Sequence, residues 1–310
     1  MIKKKLVTSI LAGVALAAGA SISHAGGVAT SYLNIKEFKF INLDTGTKLR
    51  VGDEITFVGQ VTNDGDTNAS LNGNSVSNDN SAPASPAGLD VDNSCVGACA
   101  YVENSFSYIT QPTDATSTYA VGDVLLTGSS VNFPGLDAPD ADAKLLAEVS
   151  LEPGDNIGTS SGNNVGVTGR IEFISSITAG VQVDYLADIY IRALLSADLN
   201  GLDSNASSSF SINILNTTTG ASVLNYSPNA VNTGRSATIP GDDFEYSLTD
   251  YSDPDTAART FQIVAGNRYQ LTIDQAADAN STVVPLPTPL LLMGVGILAL
   301  GSTRRLRKAS

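Results

Sequence analysis

Tryptophan is absent from the 310 residues, histidine occurs once, as His24, and cysteine twice, as Cys95 and Cys99. Beyond residue 24 the chain therefore has no imidazole, which removes the commonest general base and the commonest metal-binding nitrogen. Ser-His-Asp and Cys-His nucleophilic catalysis fall with it, as does zinc held by histidine. Cationic side chains are scarce and badly distributed. Lys3, Lys4, Lys5 and Arg304, Arg305, Arg307, Lys308 are seven of the 17 Lys and Arg, and all 31 Asp and Glu lie between these two clusters. The central stretch holds ten basic against 31 acidic residues, net −21. That excludes nucleic-acid binding, because counterion release needs clustered Lys and Arg. Phosphate-cradling and dinucleotide-binding glycine motifs are missing too. The Gly158-Thr159-Ser160-Ser161-Gly162 string matches a nucleophile elbow, but no base exists to activate Ser160, so the match reads as accidental. With only Lys36, Lys39, Lys48 and Lys144 in this stretch, a Ser–Lys arrangement has few candidates. Carboxylate-only catalysis, as in glycoside hydrolysis, is what survives.

What the sequence has in abundance is period-2 alternation. Val181, Val183, Tyr185, Ala187, Ile189, Ile191, Ala193 and Leu195 alternate with polar residues such as Gln182, Asp184, Asp188 and Arg192. This is the signature of a long strand with one buried face. Ile55-Phe57-Gly59-Val61, Phe210-Ile212-Ile214, Phe244-Tyr246-Leu248 and Tyr269-Leu271-Ile273 repeat it. Turn chemistry separates them at Val51-Gly52-Asp53, Pro153-Gly154-Asp155, Pro240-Gly241-Asp242 and Ala265-Gly266-Asn267. The expected fold class is all-β, an antiparallel β-sandwich or jelly-roll-like body over residues 26–282 with long polar loops. One short helix is expected over Ala141 to Val149, where Leu145, Leu146 and Val149 share a helical face. Residues 62–98, dominated by Asn, Asp, Ser, Gly and Pro, read as a polar loop or insertion. Pro134-Gly135 and Pro139 mark a candidate subdomain boundary near residue 136, against the preferred reading of one sandwich with an elaborated edge.

Cys95 and Cys99 enclose Val96-Gly97-Ala98. In an exported chain an even cysteine count predicts a disulfide. An extended segment would hold the two Cα atoms about 13 Å apart, beyond the usual limit of about 7 Å, so it must curl, which Gly97 permits. Such a small ring stabilises by about 2 kcal/mol, a local staple. Asp outnumbers Glu by 24 to 7, and Asp64-Gly65-Asp66, Asp90-Val91-Asp92, Asp198 to Asp203 and Asp253-Pro254-Asp255 offer hard oxygen ligands. None fits an EF-hand frame, and acidic turns are ordinary, so no metal, cofactor or catalytic residue is assigned.

The two ends read as addresses. Lys3 to Lys5, the apolar run from Leu6 to Ala20 and the small residues of Ser23-His24-Ala25 form a signal peptide over residues 1–25, with Ala25 as the signal-peptidase cleavage position. At the other end, residues 283–310 run Val284-Pro285-Leu286-Pro287, then Leu290 to Leu300, then the basic stop Arg304, Arg305, Arg307 and Lys308. Thr288 serves as N-cap and Pro289 as first residue of a short hydrophobic helix to Thr303. At about 22 Å it spans a bilayer core of about 30 Å only with snorkelling arginines. The basic cluster orients it with the body outside.

This order, a proline-containing tetrapeptide, a short Leu/Gly-rich helix and a terminal Arg cluster, resembles a PEP-CTERM sorting signal of the VPLPA-like subtype. The commonest pattern has Glu where Leu286 stands, and the subtype often has Ala where Thr288 stands. The resemblance implies recognition by an exosortase-type membrane protease, a transient inner-membrane anchor, and delivery to the cell surface or an exopolysaccharide matrix. A plain single-pass tail anchor is the simpler alternative. For the body, the expectation is a non-enzymatic surface or matrix protein contacting polysaccharide through Tyr and Asn/Asp side chains. Its rival is a secreted carboxylate-dependent polysaccharide hydrolase, which an apolar cleft with two close carboxylates of raised pKa would favour.

Overall fold

The computed structural model describes residues 26–83, 88–110, 117–152, 160–195 and 202–283. Within them the alternating segments form fifteen strands: β1 (Gly27–Asn42), β2 (Thr47–Lys48), β3 (Ile55–Leu71), β4 (Asn74–Pro83), β5 (Leu89–Gly97), β6 (Tyr119–Thr127), β7 (Ala141–Leu151), β8 (Ser160–Ser175), β9 (Ala179–Leu195), β10 (Leu202–Asn216), β11 (Ala221–Tyr226), β12 (Thr233–Ala237), β13 (Asp243–Tyr251), β14 (Thr260–Ile263) and β15 (Arg268–Val283). They build two antiparallel sheets. The first runs β13-β9-β1-β7-β6-β5, with β14 also on β9 and β2 on β1. The second runs β11-β10-β15-β8-β3-β4, with β12 also on β10. The sheets face each other as a β-sandwich. Among the described residues there is no α-helix.

The inward residues are those the alternation singled out. Leu33, Ile35, Tyr185, Ile189 and Ile191 from the first sheet and Phe210, Ile212, Tyr269 and Leu271 from the second belong to one buried cluster. At one side a polar bridge spans the sheets: the Tyr185 hydroxyl donates to that of Tyr226 at 2.7 Å, and Tyr226 donates to Asp253 Oδ2 at 2.7 Å. Of the expected strands, Phe244-Tyr246-Leu248 lies on the sheet edge, and Phe244 keeps 44% of its surface.

Two expectations are corrected. Residues 141–149 are not a helix but the greater part of β7, hydrogen-bonded between β1 and β6. Leu145 points into the sandwich and Leu146 to the opposite face, and both are fully buried. A helix would place them on one side; a central strand buries both. Tertiary pairing overrides the good helix propensity of this Ala/Leu/Lys/Glu run. Residues 62–98 are likewise not a loop. They supply most of β3 and all of β4 and β5, with only 84–87 outside the described residues. Asn72 and Gly73 both have positive φ, 54° and 79°, and close a two-residue hairpin in which Leu71 pairs with Asn74. That is the Asn-Gly turn whose twist matches antiparallel strands. β4 is an exposed edge strand, which is why it tolerates so polar a sequence. Near residue 136 the chain does not divide the sheets, since β1 lies between β7 and β9.

Candidate functional site

The outer face of the first sheet is not left to solvent. Residues 98–110, between β5 and β6, lie across it as a strap without regular structure. Its base is the Cys95–Cys99 disulfide, with Cα atoms 6.2 Å apart. The curl that the short ring demands comes at Gly97, with φ of 98°, and Ala98 N–H then donates to Thr118 O at 3.0 Å.

Two buried carboxylates hold the strap down. Glu148 of β7, 2% exposed, accepts from Ile109 N–H at 2.7 Å, Thr30 Oγ1 at 3.0 Å and the Tyr119 hydroxyl at 2.5 Å. Asp123 of β6, fully buried, accepts from the Tyr101 hydroxyl at 2.6 Å and Asn104 N–H at 2.7 Å. Tyr101 in turn accepts from Phe106 N–H at 3.0 Å, which closes the strap on itself. Farther along, Arg192 of β9 donates to Thr110 O and forks onto both carboxylate oxygens of Asp243, at 2.9 and 2.8 Å. Burial is the main cause that raises the carboxyls of Glu148 and Asp123 above their ordinary range, against the hydrogen bonds that favour their charged forms. Burial and then the neighbouring carboxylate raise the hydroxyls of Tyr101 and Tyr119.

Aromatic rings fill the space under the strap. Tyr108 stacks on Tyr190 of β9, centroids 4.6 Å apart, and Tyr32 of β1 lies 5.4 Å from Tyr108 and 6.4 Å from Phe106. Beside them opens a cleft of about 270 Å³ lined by Tyr101, Ser107, Tyr108, Ile109, Tyr119 and Glu148, among others. Ring faces next to hydroxyls and a buried acid suit a neutral, hydroxyl-rich ligand. For hydrolysis the geometry is less apt. Val121 pairs with Glu148 and Asp123 with Leu146, so the two residues are diagonal neighbours on one face, their Cα atoms roughly 7–8 Å apart by strand geometry. Glu148 reaches the cleft, but Asp123 does not line it, and both oxygens of Glu148 already accept hydrogen bonds.

The residues singled out from sequence are only partly brought together. Cys95 and Cys99 are paired. Ala25, the sorting tetrapeptide Val284, Pro285, Leu286, Pro287, the C-terminal helix and the basic stop Arg304, Arg305, Arg307, Lys308 lie outside the described residues, as does the turn at 153–155. Of the acidic loops, Asp64 and Asp66 stand on β3, Asp90 and Asp92 on β5, and Asp203 on β10, where strands replace the expected turns. Asp253 and Asp255 do sit in a turn, accepting from Asp255 N–H and Ala258 N–H. Among the described residues no three His, Cys, Asp or Glu converge as a metal site. The strap itself went unread in the sequence. Its one signal is the Tyr101, Phe106, Tyr108, Ile109 series, apolar residues without strand period that need a surface to cover.

Comparison of the chain with known protein families, with characterised proteins and with solved structures returns no match. The functional reading therefore rests on the residues alone.

Proposed function

We propose that this is an exported, non-enzymatic protein of the cell surface or of an exopolysaccharide matrix, sorted through its C-terminal signal. The observation that carries the reading is the tail: Val284-Pro285-Leu286-Pro287, an apolar run and a basic stop, in that order. The last described strand, β15, runs to Val283, and the tetrapeptide follows it directly in the sequence. On this reading a signal peptidase cuts after Ala25, and an exosortase-type protease cuts near Pro287 while the basic stop holds the helix in the inner membrane. The strap cleft is then the place where matrix polysaccharide meets the body.

Mass-spectrometric mapping of both termini on surface and released material tests this. The expected product begins at Gly26 and lacks Leu290 to Ser310, and neutral replacements of Arg304, Arg305, Arg307 and Lys308 misroute the chain. An intact C-terminus on all surface material overturns the sorting reading in favour of a plain tail anchor. The raised carboxyls of Asp123 and Glu148 favour a second reading, a polysaccharide hydrolase. The purified chain is expected to show no turnover on a polysaccharide panel. Hydrolysis abolished by Glu148→Gln or Asp123→Asn would establish the enzyme instead.

A further inference from the structure

The two sheets do not meet evenly. Near the start of β1 their inner residues are small, and hydroxyls reach across to opposite backbone: Ser31 Oγ donates to Ser207 O and Ser204 Oγ to Val28 O, both at 2.7 Å. Farther along, where the pairing of β1 with β7 slips between Ile35 and Phe38, small residues line both sides of the seam. Gly169 of β8 shares a void with Ala141 and Ala143 of β7. The result is a cavity of about 70 Å³ whose polar groups include Asn63 and Gln275. Gln275 is 7% exposed, and its Oε1 has no hydrogen-bond partner among the described residues. Such an orphaned acceptor inside a sandwich calls for a donor. A second void of about 20 Å³ adjoins the first at Val131 and Ile171 and is walled by Phe40, Ile55, Phe173 and Phe261. Among the described residues no charged side chain lines either one.

We propose that this seam binds a short neutral amphiphile, with a hydroxyl head donating to Gln275 Oε1 and an alkyl tail running past Val131 and Ile171 toward Phe261. The head is neutral because a carboxylate or ammonium would be desolvated with no countercharge beside it. The tail is short because an apolar cavity of about 150 Å³ is filled by benzene, so these voids suit a chain of about four carbons unless the sheets part. The site is separate from the strap cleft and does not depend on the sorting reading. Its wall residues come from both sheets, so occupancy couples directly to their packing.

The probe is n-butanol, titrated into the methyl-labelled full chain and read by NMR. Saturable shifts of the Ile35, Val131, Ile171 and Ile273 methyls are expected, with none from butyrate or butylammonium at matched ionic strength. Gln275→Leu removes the acceptor and keeps the volume, and is expected to weaken butanol binding roughly threefold to tenfold. Gly169→Val fills the void and is expected to abolish binding. A Cβ there would meet Asn63 Oδ1 at 3.3 Å, a contact a small side-chain shift relieves. If that variant fails to fold, Gln275→Leu alone decides. Three results overturn the proposal: absence of saturable butanol shifts, which leaves the void to water; equal shifts from butyrate; or unchanged affinity in Gln275→Leu.

Discussion

At the scale of single residues the strap depends on one side chain more than on any other. Glu148 satisfies a backbone N–H and two hydroxyls at once. Glu148→Ala is expected to destabilise the fold by about 3 kcal/mol, because buried donors are left unpaired. Glu148→Gln keeps one acceptor oxygen, and the Tyr119 hydroxyl can turn to accept from the new amide, so a loss of about 1 kcal/mol or less is expected. Urea unfolding of the three proteins checks both. The pH dependence has a definite sign. Burial raises the folded-state pKa of Glu148 above its ordinary 4.5, so the fold disfavours the charged form. The wild type should therefore gain stability relative to Glu148→Gln as pH falls through the raised folded value, the gain being complete below about 4.5. A difference that runs the other way would show that the hydrogen bonds outweigh desolvation. None of this was legible in the sequence, where Glu148 is one acid in an Ala/Leu run. The disulfide was, because Cys95 and Cys99 are the only cysteines and their spacing dictates a curl at Gly97.

Strands were readable where one face is buried and unreadable where composition and period conflict. β9 declares itself over eight alternating apolar residues, whereas β4 carries almost no apolar side chain and is specified by its neighbours. Its decisive local signal is Asn72-Gly73, which places both residues in the left-handed region that a tight hairpin needs. Gly73→Ala meets no steric neighbour, so its effect isolates backbone strain. It is expected to destabilise by about 1–2 kcal/mol, against almost nothing for Val76→Ala on the exposed β4. β7 shows the opposite conflict, a helix-forming composition held extended between two partners. Leu145→Ala there should cost about 2–5 kcal/mol by denaturation, since the cavity it opens lies in the centre of the sandwich. The strap should behave differently from either. Reducing Cys95–Cys99 removes about 2 kcal/mol of local constraint. Hydrogen exchange at Tyr101 to Ile109 should quicken while β1, β7 and β9 stay protected. Uniform acceleration across the first sheet would mean that the strap and the sheet unfold as one unit.

At the scale of the molecule, both ends of the body emerge side by side. A Cβ on Gly27 would lie 2.5 Å from Ser281 Oγ, so the start of β1 touches the end of β15. The pairings Ser160 with Thr282 and Leu71 with Ser161 place the Asn72-Gly73 hairpin at this same end. The turn at Thr217 to Gly220, between β10 and β11, lies at the other, beside Arg268 at the start of β15. Sixteen residues of β15 separate the two ends, about 50 Å of strand. If the tail that follows Val283 anchors the chain, the body stands on the membrane with its hairpin inward and the Thr217–Gly220 turn outward. The orientation is testable because both positions are exposed. Asn74→Cys and Thr219→Cys each add one accessible thiol, to be labelled with a bulky membrane-impermeant maleimide. In the tail-retaining form Thr219→Cys should label readily and Asn74→Cys slowly, because the bilayer crowds the reagent. After release the two rates should converge. Equal labelling while the tail is retained would show that the body does not stand on its C-terminal segment, and with that the anchoring step of the sorting proposal would fail.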